Sequence, residues 1–211
     1  WNALKMNSPT SLFSLLLFAI LTHLSIFCFA NQQIPAPDND LYQPQQLATL
    51  YQDDTVVKDY WISEKLDGIR ARWNGSSLVT RNNNIIHAPA WFVEHFPAQT
   101  LDGELWLARN RFEKTASIVL RDTPSDDWTN IKFMLFDLPE HKGTFTQRLT
   151  ELYYLADIIA SPYVQVIPHF KLANQTQLIK KLYELIALGA EGLMLHLAKA
   201  YYEDGRSANL L

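Results

Sequence analysis

The sequence predicts an α+β domain in which antiparallel sheets are flanked by helices. Short extended runs rich in β-branched and aromatic residues crowd residues 61–138, separated by Asp-Gly and Asn-rich punctuation. Two stretches with apolar residues at helical spacing follow, so strands and helices are mixed without a regular alternation. At 211 residues with 48% apolar composition and mixed charge, the chain is long enough to bury a substantial core.

The amino terminus reads separately. From Met6 to Pro37 there is no Asp, Glu, Lys or Arg, and residues 12–30 are almost wholly apolar. Cys28-Phe29-Ala30 places small residues where a signal peptidase reads, so a secretory signal over residues 6–30, cleaved after Ala30, is expected. The alternative is an uncleaved membrane anchor, because the run is long for a signal core. Residues 1–5 read as upstream translation, and residues 31–46 as a Gln/Pro-rich linker to a domain over residues 47–211. The single cysteine, Cys28, falls in the segment expected to be removed. A mature chain without a thiol excludes disulfides, thiolate zinc sites and a Cys nucleophile. It would carry 17 basic against 22 acidic residues, net −5, so any grip on nucleic acid must be a local patch.

In chain order, Leu41, Leu47, Leu50 and Tyr51 suggest a short helix over residues 41–51. Residues 61–73 read as two extended segments joined at Asp67-Gly68 into a hairpin. Residues 77–80 and 85–86 are strands around the polar turn Arg81-Asn82-Asn83-Asn84, and residues 90–96 a short helix stopped by Pro97. A second Asp-Gly turn, Asp102-Gly103, launches a strand with Glu104 at its mouth. Residues 109–121 read as a loop followed by a helix, and residues 131–138 as a continuous apolar strand buried on both faces. Thr144-Phe145-Thr146-Gln147 matches a capping box opening a helix that buries Leu149, Leu152, Tyr153, Ala156 and Ile159. A strand over 164–167, a helix over 176–188 capped by Gly189, and a strand over 190–196 headed by Glu191 complete the order.

Chemistry concentrates around Lys65. On an extended segment Lys65 and Asp67 share a face, with Arg70 close behind. Asp67, Glu104 and Glu191 each stand at a strand or turn boundary, where two or three carboxylates can converge on a hard cation such as Mg²⁺.

Lys65-Leu66-Asp67-Gly68-Ile69-Arg70, Leu101-Asp102-Gly103-Glu104-Leu105, Phe133-Met134-Leu135-Phe136-Asp137 and Glu191-Gly192-Leu193-Met194 resemble, in order, motifs I, III, IIIa and IV of the covalent nucleotidyltransferases. Ser63-Glu64-Lys65-Leu66-Asp67-Gly68, Ala88-Pro89-Ala90-Trp91-Phe92 and Phe136-Asp137-Leu138-Pro139 are most similar to the small secreted ATP-dependent DNA ligases of Gram-negative bacteria. The resemblance runs from about Leu41 to the end and implies an ATP-grasp-like adenylation domain. It implies that Lys65 takes AMP from ATP and passes it to the 5′-phosphate of nicked double-stranded DNA. Carried over position by position, Ser63, Glu64 and Arg70 would belong to the nucleotide site, with Arg70 on the ribose or nick end. Glu104 would hold the ribose hydroxyls, Phe136 would stack on adenine, and Arg81 would meet the 5′-phosphate. Asp67 and Glu191 would serve Mg²⁺ or Mn²⁺. Such an enzyme would act as a monomer with no obligate protein partner, in the periplasm or outside the cell, meeting a membrane only if the amino-terminal segment is uncleaved.

Two departures accompany the resemblance. Many relatives carry an acid two residues before the lysine to read the adenine amino group, where this chain has Ser63. The sequence stops near the approach to motif V, before its Lys-x-Lys and the OB domain that follows, so the expectation is that the gene continues and that this stretch alone does not seal nicks. An RNA ligase or guanylyltransferase of the same superfamily is the competing enzyme reading. A non-catalytic nucleotide-binding fragment is the competing reading outside enzymes.

Overall fold

The computed structural model describes residues 45–211. The expected signal segment, its cleavage point and nearly all of the linker lie outside the described residues.

Three sheets organise the domain. A six-stranded sheet has the order β5-β4-β3-β6-β7-β8, formed by Ile85–Ile86, Leu78–Thr80, Ile69–Trp73, Leu101–Trp106, Lys132–Asp137 and Val164–Val166. All its neighbours are antiparallel except β7 and β8. A three-stranded antiparallel sheet has the order β10-β2-β9, from Gly192–Leu197, Tyr60–Lys65 and His169–Phe170. Gln46–Leu47 (β1) and Gly205–Arg206 (β11) form a two-stranded parallel pair.

Helices cover the apolar faces. Ala90–Val93 (α1), Phe112–Val119 (α2) and Phe145–Ile159 (α3) contribute Phe92, Ile118, Val119, Leu152, Leu155 and Ile159 to a core built with Leu101, Leu105, Phe133 and Leu135 of the large sheet. Gln175–Ala187 (α4) covers the small sheet, packing Leu178 with Val57, Ile62 and Leu195. The capping box forms: Thr144 accepts from Gln147 N–H and Gln147 Oε1 accepts from Thr144 N–H. Asn174 caps α4 in the same way, and Gly189 sits at φ +84 beyond its end, a conformation that glycine adopts without a Cβ penalty.

The structure departs from the sequence expectations at several places, one of them in α3, where Tyr153 is 44% exposed rather than buried. No helix forms over residues 45–51. Instead β1 pairs with β11, and Thr49 N–H donates to Leu210 O at 2.8 Å, so a distant strand supplies the backbone partners a weak local helix would have supplied. Residues 61–73 are not a hairpin: β2 lies in the small sheet and β3 in the large one, and residues 66–68 carry the chain between them. Asp102-Gly103 is not a turn. It lies inside β6, at a register shift against β7, which moves Glu104 from the mouth of the strand to its middle. The sheets are antiparallel as expected apart from two parallel pairs, β7·β8 and β1·β11, each joining strands that are linked through intervening helix or sheet.

Candidate active-site cleft

The crossover at residues 66–68 places Lys65 at the seam of the sheets. Lys65 is the last residue of β2, paired across the ladder with Gly192. Gly68 then comes so near to β6 that an added Cβ would lie 2.4 Å from Leu105 O, and its N–H donates to Glu104 Oε1 at 3.2 Å. Glycine is needed here for close approach rather than for a turn conformation.

A cleft of about 310 Å³ opens beside this crossover. The small sheet contributes Ser63, Glu64, Lys65, Met194 and His196, and the large sheet contributes Arg70, Glu104 and Phe136. Leu47 of β1, Ile167 and Leu210 add apolar walls, and Arg81 stands at the edge. The period-two alternation of β2 explains the set: Ser63 and Lys65 share the cleft face, while Ile62 turns to the core beneath α4.

Each charged group is held. Lys65 Nζ is ion-paired with Glu191, which precedes β10, and both side chains are about half exposed. Arg70 grips Asp102 with two donors, Nε to Oδ1 at 3.2 Å and Nη2 to Oδ2 at 2.7 Å, while Nη1 donates to Gln46 O at 2.7 Å. Its guanidinium lies 5.2 Å from the Phe136 ring centroid, so ring and fork form one surface of the cleft. Asp102 is fully buried and also takes Arg72 Nη2 at 3.5 Å and Tyr202 O–H at 3.4 Å. Burial, then Asp102, keeps the Tyr202 phenol protonated.

Burial pushes the Glu104 carboxyl up to about 8, against the opposing pull of Arg70 and the Gly68 N–H. Near neutral pH it is therefore available both as a proton-bearing donor and as an acceptor, which suits a pair of hydroxyls. His196 is buried, stacked on Phe145 at 4.2 Å between centroids, and stays neutral because burial, His169, Arg148 and Arg70 all disfavour its cation. Arg81 is exposed in its turn and makes no ion pair or hydrogen bond among the described residues.

The structure therefore gathers Ser63, Glu64, Lys65, Arg70, Arg81, Glu104 and Phe136 around one cavity and sets Glu191 on Lys65. It does not bring Asp67 there. Asp67 lines a separate depression with Asn110, Arg111 and Lys114. Among the described residues no three His, Cys, Asp or Glu side chains are grouped to hold a metal ion. A single carboxylate, Glu191, still fits a Mg²⁺ that takes most of its ligands from phosphate oxygens and water.

Sequence reasoning missed several participants. In the sequence Asp102 has the local signature of a turn residue, and Tyr202 carries no signal at all. Arg109, which clamps Glu64 with Nε–Oε1 and Nη2–Oε2 contacts of 2.8 Å each, looked like one more basic loop residue. Met194 and His196 could have been found, since an alternating strand beginning at Glu191 must present both on one face.

No family model matches the chain. A DNA ligase of Haemophilus influenzae is 32% identical over 194 residues, spanning 91% of this chain and 67% of that protein. A solved structure from a structure-function study of Lig E DNA ligases is 47% identical, with a TM-score of 0.77 over 81% of this chain and 68% of that one. At the level of fold alone, the Chlorella virus DNA ligase–adenylate superposes with a TM-score of 0.67 at 20% identity, covering 80% of this chain and 67% of that one. The ATP-dependent ligase of bacteriophage T7 in complex with ATP does so with 0.65 at 12%, covering 81% and 68%. With the cleft, the mixed sheets and these relatives in agreement, the chain belongs to the DNA ligases.

Proposed function

We propose that Lys65 is the residue that carries AMP in this ligase. The observation that carries the assignment is the position of Lys65 at the rim of a cavity whose other walls hold Arg70, Glu104 and Phe136. The neutral Lys65 amine, having lost one proton, attacks the α-phosphorus of ATP. A P–N bond forms, the bond to the bridging oxygen breaks, and pyrophosphate leaves. The AMP then passes to the 5′-phosphate of a nick, and the 3′-hydroxyl displaces it.

Phe136 offers a face for the base, backed by the Arg70 guanidinium, and Met194 and Ile167 enclose it with apolar surface. Glu104 and Arg70 address the ribose side. Arg81, exposed and without an ion pair among the described residues, would meet a phosphate of the nick. Glu191 would hold Mg²⁺, which when bound supplies charge neutralisation on the phosphoryl oxygens. Ser63, 1% exposed in the cleft wall, stands where relatives place an acid. A hydroxyl both donates and accepts, so it tolerates adenine without demanding it.

Incubating the purified protein with labelled ATP and Mg²⁺ should label wild type and leave Lys65→Ala blank; equal labelling of both would remove Lys65 from the role. Preference for nicked RNA over nicked DNA, or labelling by GTP alone, would instead select the superfamily's other branches. The uncharged apolar run ahead of residue 31 supports export of the enzyme with cleavage after Ala30. Sequencing the amino terminus of protein recovered from a periplasmic extract would decide it, and a chain still beginning before residue 30 would count against cleavage.

A further inference from the structure

Lys65 stands where the chain leaves the small sheet for the large one, and a hydrogen-bonded bridge joins the two sheets on either side of it. After Lys65, Gly68 N–H reaches Glu104 of β6. Before it, Glu64 of β2 receives the fork of Arg109, both contacts at 2.8 Å. Arg109 belongs to the loop between β6 and α2, so its guanidinium ties the large sheet's loop to the strand that presents the lysine. Planar two-point contact fixes direction as well as distance, which a single ammonium could not do.

The same loop touches the other partner of Lys65. Asn110 holds φ +56 and packs so closely on Gly189 that a Cβ there would lie 2.6 Å from Asn110 Nδ2. Gly189 is two residues before Glu191, whose carboxylate sits on Lys65. One short loop thus contacts the residue preceding Lys65 and the turn preceding Glu191.

We propose that Arg109 is a positioning residue for the adenylation step: through Glu64, with Asn110 beside it, it registers Lys65 against Glu191 and the bound nucleotide. The inference rests on the assignment of Lys65 as the AMP carrier. Base and ribose contacts come from Arg70, Glu104 and Phe136, none of which touches Arg109, so loosening Arg109 should cost rate more than affinity. Were Arg109 instead a contact to DNA phosphate, adenylation would not need it.

Single-turnover labelling of Lys65 by ATP in the purified protein tests this. Arg109→Gln and Glu64→Gln should each slow labelling at saturating ATP by about tenfold, and Arg109→Gln, which lies outside the cleft lining, should leave the half-saturating ATP concentration within about twofold. The double variant should be no slower than either single one, because both remove the same bridge. Exchanging the charges, Glu64→Arg with Arg109→Glu, should recover much of the rate, and Arg109→Lys should fall short of wild type because it keeps the charge without the fork. The pair is partly buried, so thermal midpoints should fall only modestly, and Arg109→Lys and the charge-exchanged variant should stay nearest to wild type. Wild-type labelling by Arg109→Gln, a loss confined to nicked-duplex binding, or an effect seen only as a raised ATP requirement would each overturn the proposal. If wild type is not labelled, the Lys65 assignment fails and takes this one with it; a labelled wild type beside an indifferent Arg109→Gln removes this one alone.

Discussion

Asp67-Gly68 and Asp102-Gly103 are the same dipeptide, and each lies next to a residue of the cleft. Asp67 is partly exposed on a three-residue crossover between sheets and lines a depression away from the cavity. Asp102 is fully buried inside β6 and receives donors from Arg70, Arg72 and Tyr202. Both glycines are there because another backbone comes close: Leu105 O at 2.4 Å from a Cβ on Gly68, and Met134 O at 2.8 Å from one on Gly103. Only in a third copy, Asp204-Gly205, does the glycine take the positive φ, +79, that the dipeptide usually signals. The difference teaches that the same local chemistry serves as passage in one place and as an electrostatic anchor in another, according to what the sheet packs against it.

The largest separation between the two sites should come from removing the carboxylates. Asp102→Ala leaves Arg70 and Arg72 without their shared acceptor in a buried site and should cost about 3–5 kcal/mol in urea unfolding. An Asp102→Ala protein within about 1 kcal/mol of wild type would break the comparison, because the anchor would then carry little.

The glycines come next. Gly103→Ala and Gly68→Ala both push a methyl into fixed neighbours, and each should lose about 1–3 kcal/mol. Gly68→Ala should in addition slow labelling of Lys65, since it must shift the crossover that the lysine begins. Equal labelling rates in the two alanine variants would show that the crossover's path does not set the position of the nucleophile.

Glu104, between the two dipeptides in space, sharpens the comparison through pH. Its folded pKa of about 8 lies above the ordinary glutamate value of 4.5, so the folded state holds more protons across that window. Stability from this group is complete below the lower value and falls as pH rises toward the upper one. Wild type should therefore lose stability relative to Glu104→Gln as pH rises between those limits. A pH-independent difference between the two proteins would refute the burial of the charge.

The smallest effect belongs to Asp67→Asn, which should move stability by no more than about 0.5 kcal/mol because the group is solvated and unpaired among the described residues. Its Mg²⁺ requirement for labelling should match wild type if Glu191 alone serves the ion. A markedly raised requirement would restore Asp67 to the metal site.

Much of the architecture was legible locally. The capping box at Thr144, the Gly189 cap and the apolar run of β7 each depend on contacts within a few residues, and each formed where expected. The cleft residues Lys65, Arg70, Glu104 and Phe136 were readable too, from the order of four short motifs. What could not be read were the partners. Nothing near Glu64 in the chain announces Arg109, and nothing near Asp102 announces Tyr202, 100 residues away. Residues 61–73 show the limit most clearly, because two extended segments around Asp-Gly satisfy every local rule for a hairpin. The sequence by itself determined most of the extended and helical segments and the motifs that meet in the cleft, since those follow from side-chain period and short-range hydrogen bonding; residues 45–51, where a strand partner replaces the expected helix, are the exception. Which sheet each strand joined, and so what faces Lys65, was decided by the tertiary structure alone: β2 found its ladder partners in β10 and β9, and strand pairing is satisfied by whichever edge packing brings alongside.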